Sequence, residues 1–246
     1  MIPSKSILKI VTAGHVDDGK STLIGRLLFE TNSLKDDQLE HITHKSKAMG
    51  YDYIDLSLAT DGLLTEREQG ITIDVSHIYF SDKNRRYVIA DSPGHEEYTR
   101  NMVTGASNAD CALLLVDIRN GITRQTVRHL TILSLLNIKH IALVINKVDL
   151  VDYDQQKIAK LESDLRALVT NYSSKPNCVY IPISALKGDN VTQPSDAMSW
   201  YTGPTLLEFL NNAPIESNTV QNALLQVQTV IRPKTHNLVD YRGYAG

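Results

Sequence analysis

Residues 14–21 read Gly-His-Val-Asp-Asp-Gly-Lys-Ser, the pattern G-x-x-x-x-G-K-S, and the sequence on either side of them limits the fold more than any other feature of the chain. Ahead of the pattern, Ile7–Thr12 is a short apolar, β-branched run, which predicts a buried strand. Behind it, Leu23, Ile24, Leu27 and Leu28 recur at helical spacing within Ser21–Glu30. A glycine-rich loop between strand and helix lets backbone N–H groups wrap phosphate oxygens, and the helix N-terminus adds a favourable dipole. In that setting Lys20 reaches the β- and γ-phosphates and the Ser21 hydroxyl ligates Mg²⁺. Gly14, His15, Val16, Asp17, Asp18, Gly19 and Thr22 complete the cradle. A chance glycine-rich turn is the bland alternative, and it does not explain why the loop falls between a strand and a helix.

The rest of the chain repeats the alternation. Cys111–Val116 and His140–Ile145 are unbroken apolar runs, as expected of strands buried on both faces of a parallel sheet. Thr123–Leu136 and Asp154–Asn171 read as helices, and Val179–Ile183 as one more strand. Ile71–Phe80 and Tyr87–Ala90 flank the polar Ser81–Arg86 and predict a hairpin, with Arg85-Arg86 as an exposed turn. The expected fold is α/β: a doubly wound, mostly parallel sheet with one antiparallel edge, the architecture of a P-loop NTPase. Residues 31–70 lack a strong strand signal and imply either short helices or a functional loop; His41 and His44 fit a solvated helix face better than a metal site.

Towards the end, Gly203-Pro204-Thr205 opens a last helix over Leu206–Leu210, and a polar linker follows. Ala223–Ile231 then alternates like a strand, but the remaining residues are too few to bury a core alone. The expected organisation is a nucleotide-binding domain over 1–213, then a linker and the first strands of a truncated β-barrel domain over 214–246.

Composition narrows the function classes. With 28 acidic against 25 basic residues, a net of −3, no basic excess exists to neutralise nucleic-acid phosphates. Two isolated cysteines, Cys111 and Cys178, suit a reducing compartment. No run approaches the roughly 18–20 apolar residues of a membrane span, and the first residues lack a signal-peptide core. A cytoplasmic protein without membrane or nucleic-acid partners is expected.

Four further motifs bear on chemistry. Asn146-Lys147-Val148-Asp149 closes a predicted strand on the side where open α/β sheets bind ligands. A carboxylate such as Asp149 can accept from both the ring N–H and the exocyclic amine of guanine, whereas adenine offers no matching pair. A site built for such pairing rejects the wrong base by roughly 10⁴ or more. Ser184-Ala185-Leu186, after the next strand, can supply a backbone amide to the base carbonyl. Taken alone, N-K-x-D can also be a helix start capped by Asp149.

Asp91-Ser92-Pro93-Gly94-His95 follows another strand: Asp91 can hold Mg²⁺ through water, Gly94 can offer its N–H to the γ-phosphate, and His95 can position the attacking water. The bland reading of His95 is a surface loop histidine. In Gly70-Ile71-Thr72-Ile73-Asp74, Thr72 is either a second hydroxyl ligand of Mg²⁺ or simply a strand residue.

The five motifs, in order from 14 to 186, resemble the translation-factor class of GTPases, and G-H-V-D-x-G-K-S, G-I-T-I and D-x-P-G-H resemble its elongation factor Tu branch. Asp18 departs from the His found there in many elongation factors. Within the class, Thr60-Asp-Gly-Leu63 with Glu66–Asp74, Asn146–Tyr153, Ser199–Leu207 and Asp240–Gly246 are similar to the GTPase subunits of bacterial sulfate adenylyltransferases. The resemblance implies GTP/GDP and Mg²⁺ as ligands and a smaller adenylylating subunit as partner, in a heterodimer or higher heteromer. It implies that GTP hydrolysis drives ATP + sulfate → adenylyl sulfate + pyrophosphate on that partner. By the family's pattern Asn146, Lys147, Asp149 and Ser184 serve the base, and Val16 and Ile71 form an apolar gate around the water oriented by His95. An elongation factor delivering aminoacyl-tRNA, or a GTP-dependent scaffold, would share the same core.

Overall fold

The computed structural model describes residues 6–60, 76–92, 99–172, 176–215, 225–232 and 242–246. The chain divides into two compact units, Met1–Ile215 and Glu216–Gly246. In the first, strand β1 (Ile7–Ala13) runs into helix α1 (Lys20–Glu30), followed by α2 (Asp36–Ala48). A hairpin of β2 (Ser76–Ser81) and β3 (Arg86–Asp91) comes next, then α3 (Thr99–Ala106), β4 (Cys111–Asp117) and α4 (Arg124–Leu135). β5 (His140–Asn146), α5 (Gln155–Thr170), β6 (Asn177–Pro182) and α6 (Leu206–Asn212) complete the unit.

The sheet order is β2-β3-β1-β4-β5-β6. β2 pairs antiparallel with β3, and the other neighbours pair parallel. This is the doubly wound sheet with one antiparallel edge that the pattern of runs predicts. Every residue of β4 is buried, because successive side chains enter opposite layers. Cys111, Leu113 and Leu115 join Leu23, Ile24 and Leu27 of α1 and Leu206 and Leu210 of α6. Ala112, Leu114 and Val116 join Met102 of α3, Leu130 and Leu133 of α4 and Leu165 of α5. Each buried Leu contributes about 1.5–3 kcal/mol, so a polar residue in either register of β4 would open one layer.

Helix ends follow local chemistry. Thr205 and Glu208 form a reciprocal cap on α6 at 3.2 and 2.8 Å, and the Asp154 carboxylate accepts two amides of α5. Arg85, expected merely to occupy an exposed turn, instead donates through Nη1 to Leu210 O at 2.9 Å and Ala213 O at 2.7 Å. It thereby satisfies carbonyls at the end of α6, a long-range use with no local signal.

Residues 31–60 contain α2 and a short 3₁₀ turn, Leu56–Ala59, with His41 and His44 exposed on α2. The strand expected over Ile71–Phe80 is described from Ser76 onward. In the second unit, β7 (Thr229–Ile231) pairs antiparallel with β8 (Gly243–Ala245). The strand expected over Ala223–Ile231 is therefore shorter: 225–228 are exposed and lie outside any strand. No helix among the described residues is long and apolar enough to cross a membrane.

Candidate nucleotide-binding site

After β1 the chain turns towards β3, and after β4 it turns towards β5, so the connections diverge above the carboxyl ends of β1 and β4. Open α/β sheets bind their ligands at such a point. Residues 14–22 occupy it. Gly19 has φ +92°, and a Cβ there would collide with Asn146 Nδ2; only glycine meets both demands. As the residue preceding α1, Gly19 has no side chain to cap the helix, so the first-turn amides of Lys20, Ser21 and Thr22 receive no side-chain acceptor among the described residues. Lys20 is buried and folds over the loop, donating to Gly14 O at 3.2 Å and His15 O at 3.0 Å. Burial lowers its pKa, with Asp91 and Asp18 opposing. A buried cation whose hydrogen bonds go to neutral carbonyls is a ready partner for an anion.

Asp18 turns inward and accepts from His15 N–H at 2.6 Å. Burial raises its pKa despite that bond and the nearby Lys20. Asp17 (φ +69°) is the loop's one non-glycine residue with positive φ. Beneath the loop, His129 Nδ1 accepts the Gly14 N–H at 3.0 Å, and Nε2 lies 2.9 Å from Gln125 Nε2. An imidazolium cannot accept that bond, so the ring is neutral; burial, then the Lys20 charge, push its pKa down to about 3. Nothing in the spacing of α4 singles out His129.

The second half of the site meets the first through Asn146, itself buried. Its Nδ2 donates to Asp18 O at 2.8 Å, and its Oδ1 accepts from Ala185 N–H at 3.0 Å. One amide therefore ties the 14–21 loop to the 184–186 loop. Lys147 has φ +64°, and its ammonium donates to Asp17 O and pairs with Asp117 Oδ2 at 3.0 Å. Asp117 also takes Arg119 Nη2 at 2.6 Å and Nε at 3.1 Å. Burial alone would raise its pKa, but Arg119 and Lys147 hold the carboxyl down to about 2. No sequence motif singles out Asp117; its one local signal is that it ends the apolar run of β4, and the structure sets it in register with Asn146 on β5.

Asp149 lies inside a 3₁₀ turn, Val148–Val151, whose N-cap is Lys147, so it does not serve as a helix cap. With Gly19, Thr22, Asn146, Lys147, Ala185 and Leu186 it lines a cleft of about 230 Å³. In the 184–186 loop, Ser184 N–H is taken by Asp189 O and Lys187 N–H by Ser184 Oγ. Leu186 N–H has no partner among the described residues.

At the end of β3, Asp91 is buried and accepts from Thr12 Oγ1 at 2.7 Å. Ser21 is half-exposed at the start of α1, and Val16 is half-exposed in the loop. Gly94, His95, Ile71 and Thr72 lie outside the described residues.

Comparison with known proteins agrees with this geometry. Residues 5–228 match the family model for the elongation factor Tu GTP binding domain. The chain is 49% identical over 98% of its length to a protein named sulfate adenylyltransferase subunit 1 from Erwinia tasmaniensis, covering 51% of that protein. It is 48% identical over 98% of its length to the protein so named from Bacteroides fragilis, covering 50%. The chain thus spans about half the length of these relatives. Among solved structures, the Saccharomyces cerevisiae Ski7 GTPase-like domain bound to GDP and inorganic phosphate shares the fold at TM-score 0.76 and 22% identity, over 93% of this chain and 55% of that one. Sup35 complexed with GMPPNP aligns at TM-score 0.57 and 30% identity, over 84% of this chain and 44% of that one. With its doubly wound sheet, glycine-rich loop and matched family model, the chain belongs to the elongation factor Tu GTP-binding domain family.

Proposed function

We propose that this chain is the GTP-binding and GTP-hydrolysing part of the GTPase subunit of a sulfate adenylyltransferase. In this reading GTP hydrolysis drives ATP + sulfate → adenylyl sulfate + pyrophosphate on a smaller adenylylating partner, in the cytoplasm and in sulfate assimilation. The observation that carries the nucleotide half is Asn146, which joins the phosphate loop and the base loop into one cleft with Asp149 on its wall. The similarity to subunit 1 of sulfate adenylyltransferases supports the second half.

Lys20 and the uncapped amides of α1 would hold the β- and γ-phosphates. Asp149 would accept from the guanine ring N–H and amine, and the 184–186 loop would donate to its carbonyl. Ser21, Asp91 and Thr72 would hold Mg²⁺. The described donors suit it, since a hydroxyl and a buried carboxylate steadied by Thr12 are the hard oxygen ligands that this ion prefers. When bound, Mg²⁺ offsets the phosphate charge that develops during cleavage. Gly94 would meet the γ-phosphate, and His95 would orient the attacking water behind an apolar gate of Val16 and Ile71. The GMPPNP held by sup35 supports a guanine nucleotide here. Residues 1–213 form the GTP-binding domain in this reading, and 214–246 begin a β-barrel domain.

The test is GTP hydrolysis by the full-length protein with and without the small subunit, ATP and sulfate. Stimulation that requires all three supports the reading. Tight aminoacyl-tRNA binding confined to the GTP state, without such stimulation, would assign the protein to translation. Slow hydrolysis indifferent to every addition would leave a GTP-dependent scaffold.

A further inference from the structure

Helix α1 begins with Lys20 and Ser21, the residues that face the phosphates, and carries Arg26 nearly two turns further on. Arg26 reaches across to the base loop. Its Nε donates to Ala185 O at 3.1 Å, and its Nη2 donates to Leu186 O. Its Nη1 lies 3.7 Å from Glu30 Oε1, while Glu30 Oε2 accepts from Thr192 Oγ1 at 2.5 Å. Glu30 also stands where a Cβ on Gly188 would be, at a residue with φ +91°. The loop from 184 to 192 is therefore mounted on α1 through an Arg–Glu pair.

The mount fixes a direction. In a trans peptide the C=O and the N–H point to opposite sides, and the described peptides are free of cis bonds. Arg26 takes the carbonyl of the Ala185–Leu186 peptide, so the N–H of Leu186 faces away from α1. The flanking amides are already engaged: Ala185 N–H with Asn146 Oδ1, and Lys187 N–H with Ser184 Oγ. Within residues 184–187, Leu186 N–H is the amide without a partner among the described residues, and Ala185 and Leu186 both line the cleft. A cation on the carbonyl also polarises the same peptide and strengthens its N–H as a donor.

We infer that Arg26 is a positioning residue for base selection: by holding the carbonyls of Ala185 and Leu186 it presents the Leu186 N–H to the 6-carbonyl of a purine diphosphate or triphosphate. This rests on the guanine-nucleotide reading above and adds to it the residue that sets the preference for a 6-keto base. Because α1 also carries the phosphate ligands, the same side chain fixes the distance between the two ends of the nucleotide site.

The experiment compares three nucleoside diphosphates on the chain by calorimetry, with ADP on the wild type as a control. GDP has both the 6-carbonyl and the 2-amino group, IDP keeps the carbonyl alone, and 2-aminopurine riboside diphosphate keeps the amine alone. Arg26→Met retains the alkyl stem without donors, and Arg26→Lys restores one donor. In Arg26→Met the preference for GDP over the 2-aminopurine nucleotide should fall about tenfold, the equivalent of one lost hydrogen bond of ordinary strength. The preference for GDP over IDP, read by Asp149, should stay within twofold, and Arg26→Lys should recover part of the first ratio. Equal weakening of all three nucleotides would make Arg26 merely structural and overturn the inference. An unchanged GDP to 2-aminopurine ratio in both variants would overturn it while leaving the guanine reading intact. A wild-type chain that binds ADP as well as GDP would overturn both.

Discussion

Replacing Asn146 with Ala removes a side chain that bonds to both loops of the site. Asn146 is 1% exposed, and its loss leaves Asp18 C=O and Ala185 N–H without the partners they now have at 2.8 and 3.0 Å. A buried group left unsatisfied costs about 1–3 kcal/mol. The cleft beside Ala185 admits water, which places the pair towards the lower end, about 2–4 kcal/mol in all. For a domain of this size that amounts to a fall in Tm of roughly 5–15 °C. If about 2 kcal/mol of it is also lost from nucleotide binding, because the two loops no longer form one cleft, GDP binds about 30-fold more weakly.

Asn146→Asp is the sharper control. It keeps the volume and the acceptor for Ala185 N–H but sets a carboxylate oxygen against the Asp18 carbonyl. It should therefore weaken GDP binding at least as much as the Ala variant while perturbing packing less. Thermal melts and GDP calorimetry on both variants check this. GDP affinity within twofold of wild type in Asn146→Ala would refute the idea that this side chain assembles the site.

Three further outcomes are expected. Lys20→Ala should abolish measurable GDP binding by calorimetry, because the buried ammonium faces the loop; unchanged binding would displace the phosphate site. His95→Ala should bind GTP near normally but hydrolyse it about tenfold or more slowly in single-turnover assays, and equal loss of both would make His95 structural. His129 is neutral when folded, with its pKa pushed from 6.5 down to about 3, so the unfolded chain binds the extra proton and stability falls as pH drops from about 6.5 towards 3. His129→Gln retains an acceptor for Gly14 N–H without titrating, and should flatten that slope in melts across pH 3–7; an identical slope would locate the acid sensitivity elsewhere.

Much of the fold was legible because it depends on local repetition. The unbroken apolar runs of β4 and β5 could only be strands covered on both faces, and the Thr205–Glu208 pair announces the start of α6. The places of the two motifs, after β1 and at the end of β5, were legible because each follows an apolar run that reads as a strand. What escaped reading is contact between distant segments. The bond from Gly14 to His129 spans 115 residues, that from Thr12 to Asp91 spans 79, and that from Arg26 to Ala185 spans 159. Each depends on the order of the strands in the sheet, which no local period encodes. Arg85 was read as a surface turn for the same reason: the carbonyls it satisfies are more than 120 residues away.

The most direct measurement is calorimetric titration of the wild-type chain and Asp149→Asn with GDP, ADP and xanthosine diphosphate. A cleft in which the Asp149 carboxylate reads guanine should favour GDP over ADP by roughly 10⁴ or more. Exchanging that acceptor for an amide should move the preference to the xanthosine nucleotide. Equal binding of GDP and ADP by the wild type, or an Asp149→Asn chain that still prefers GDP, would contradict the assignment of this cleft to the guanine base.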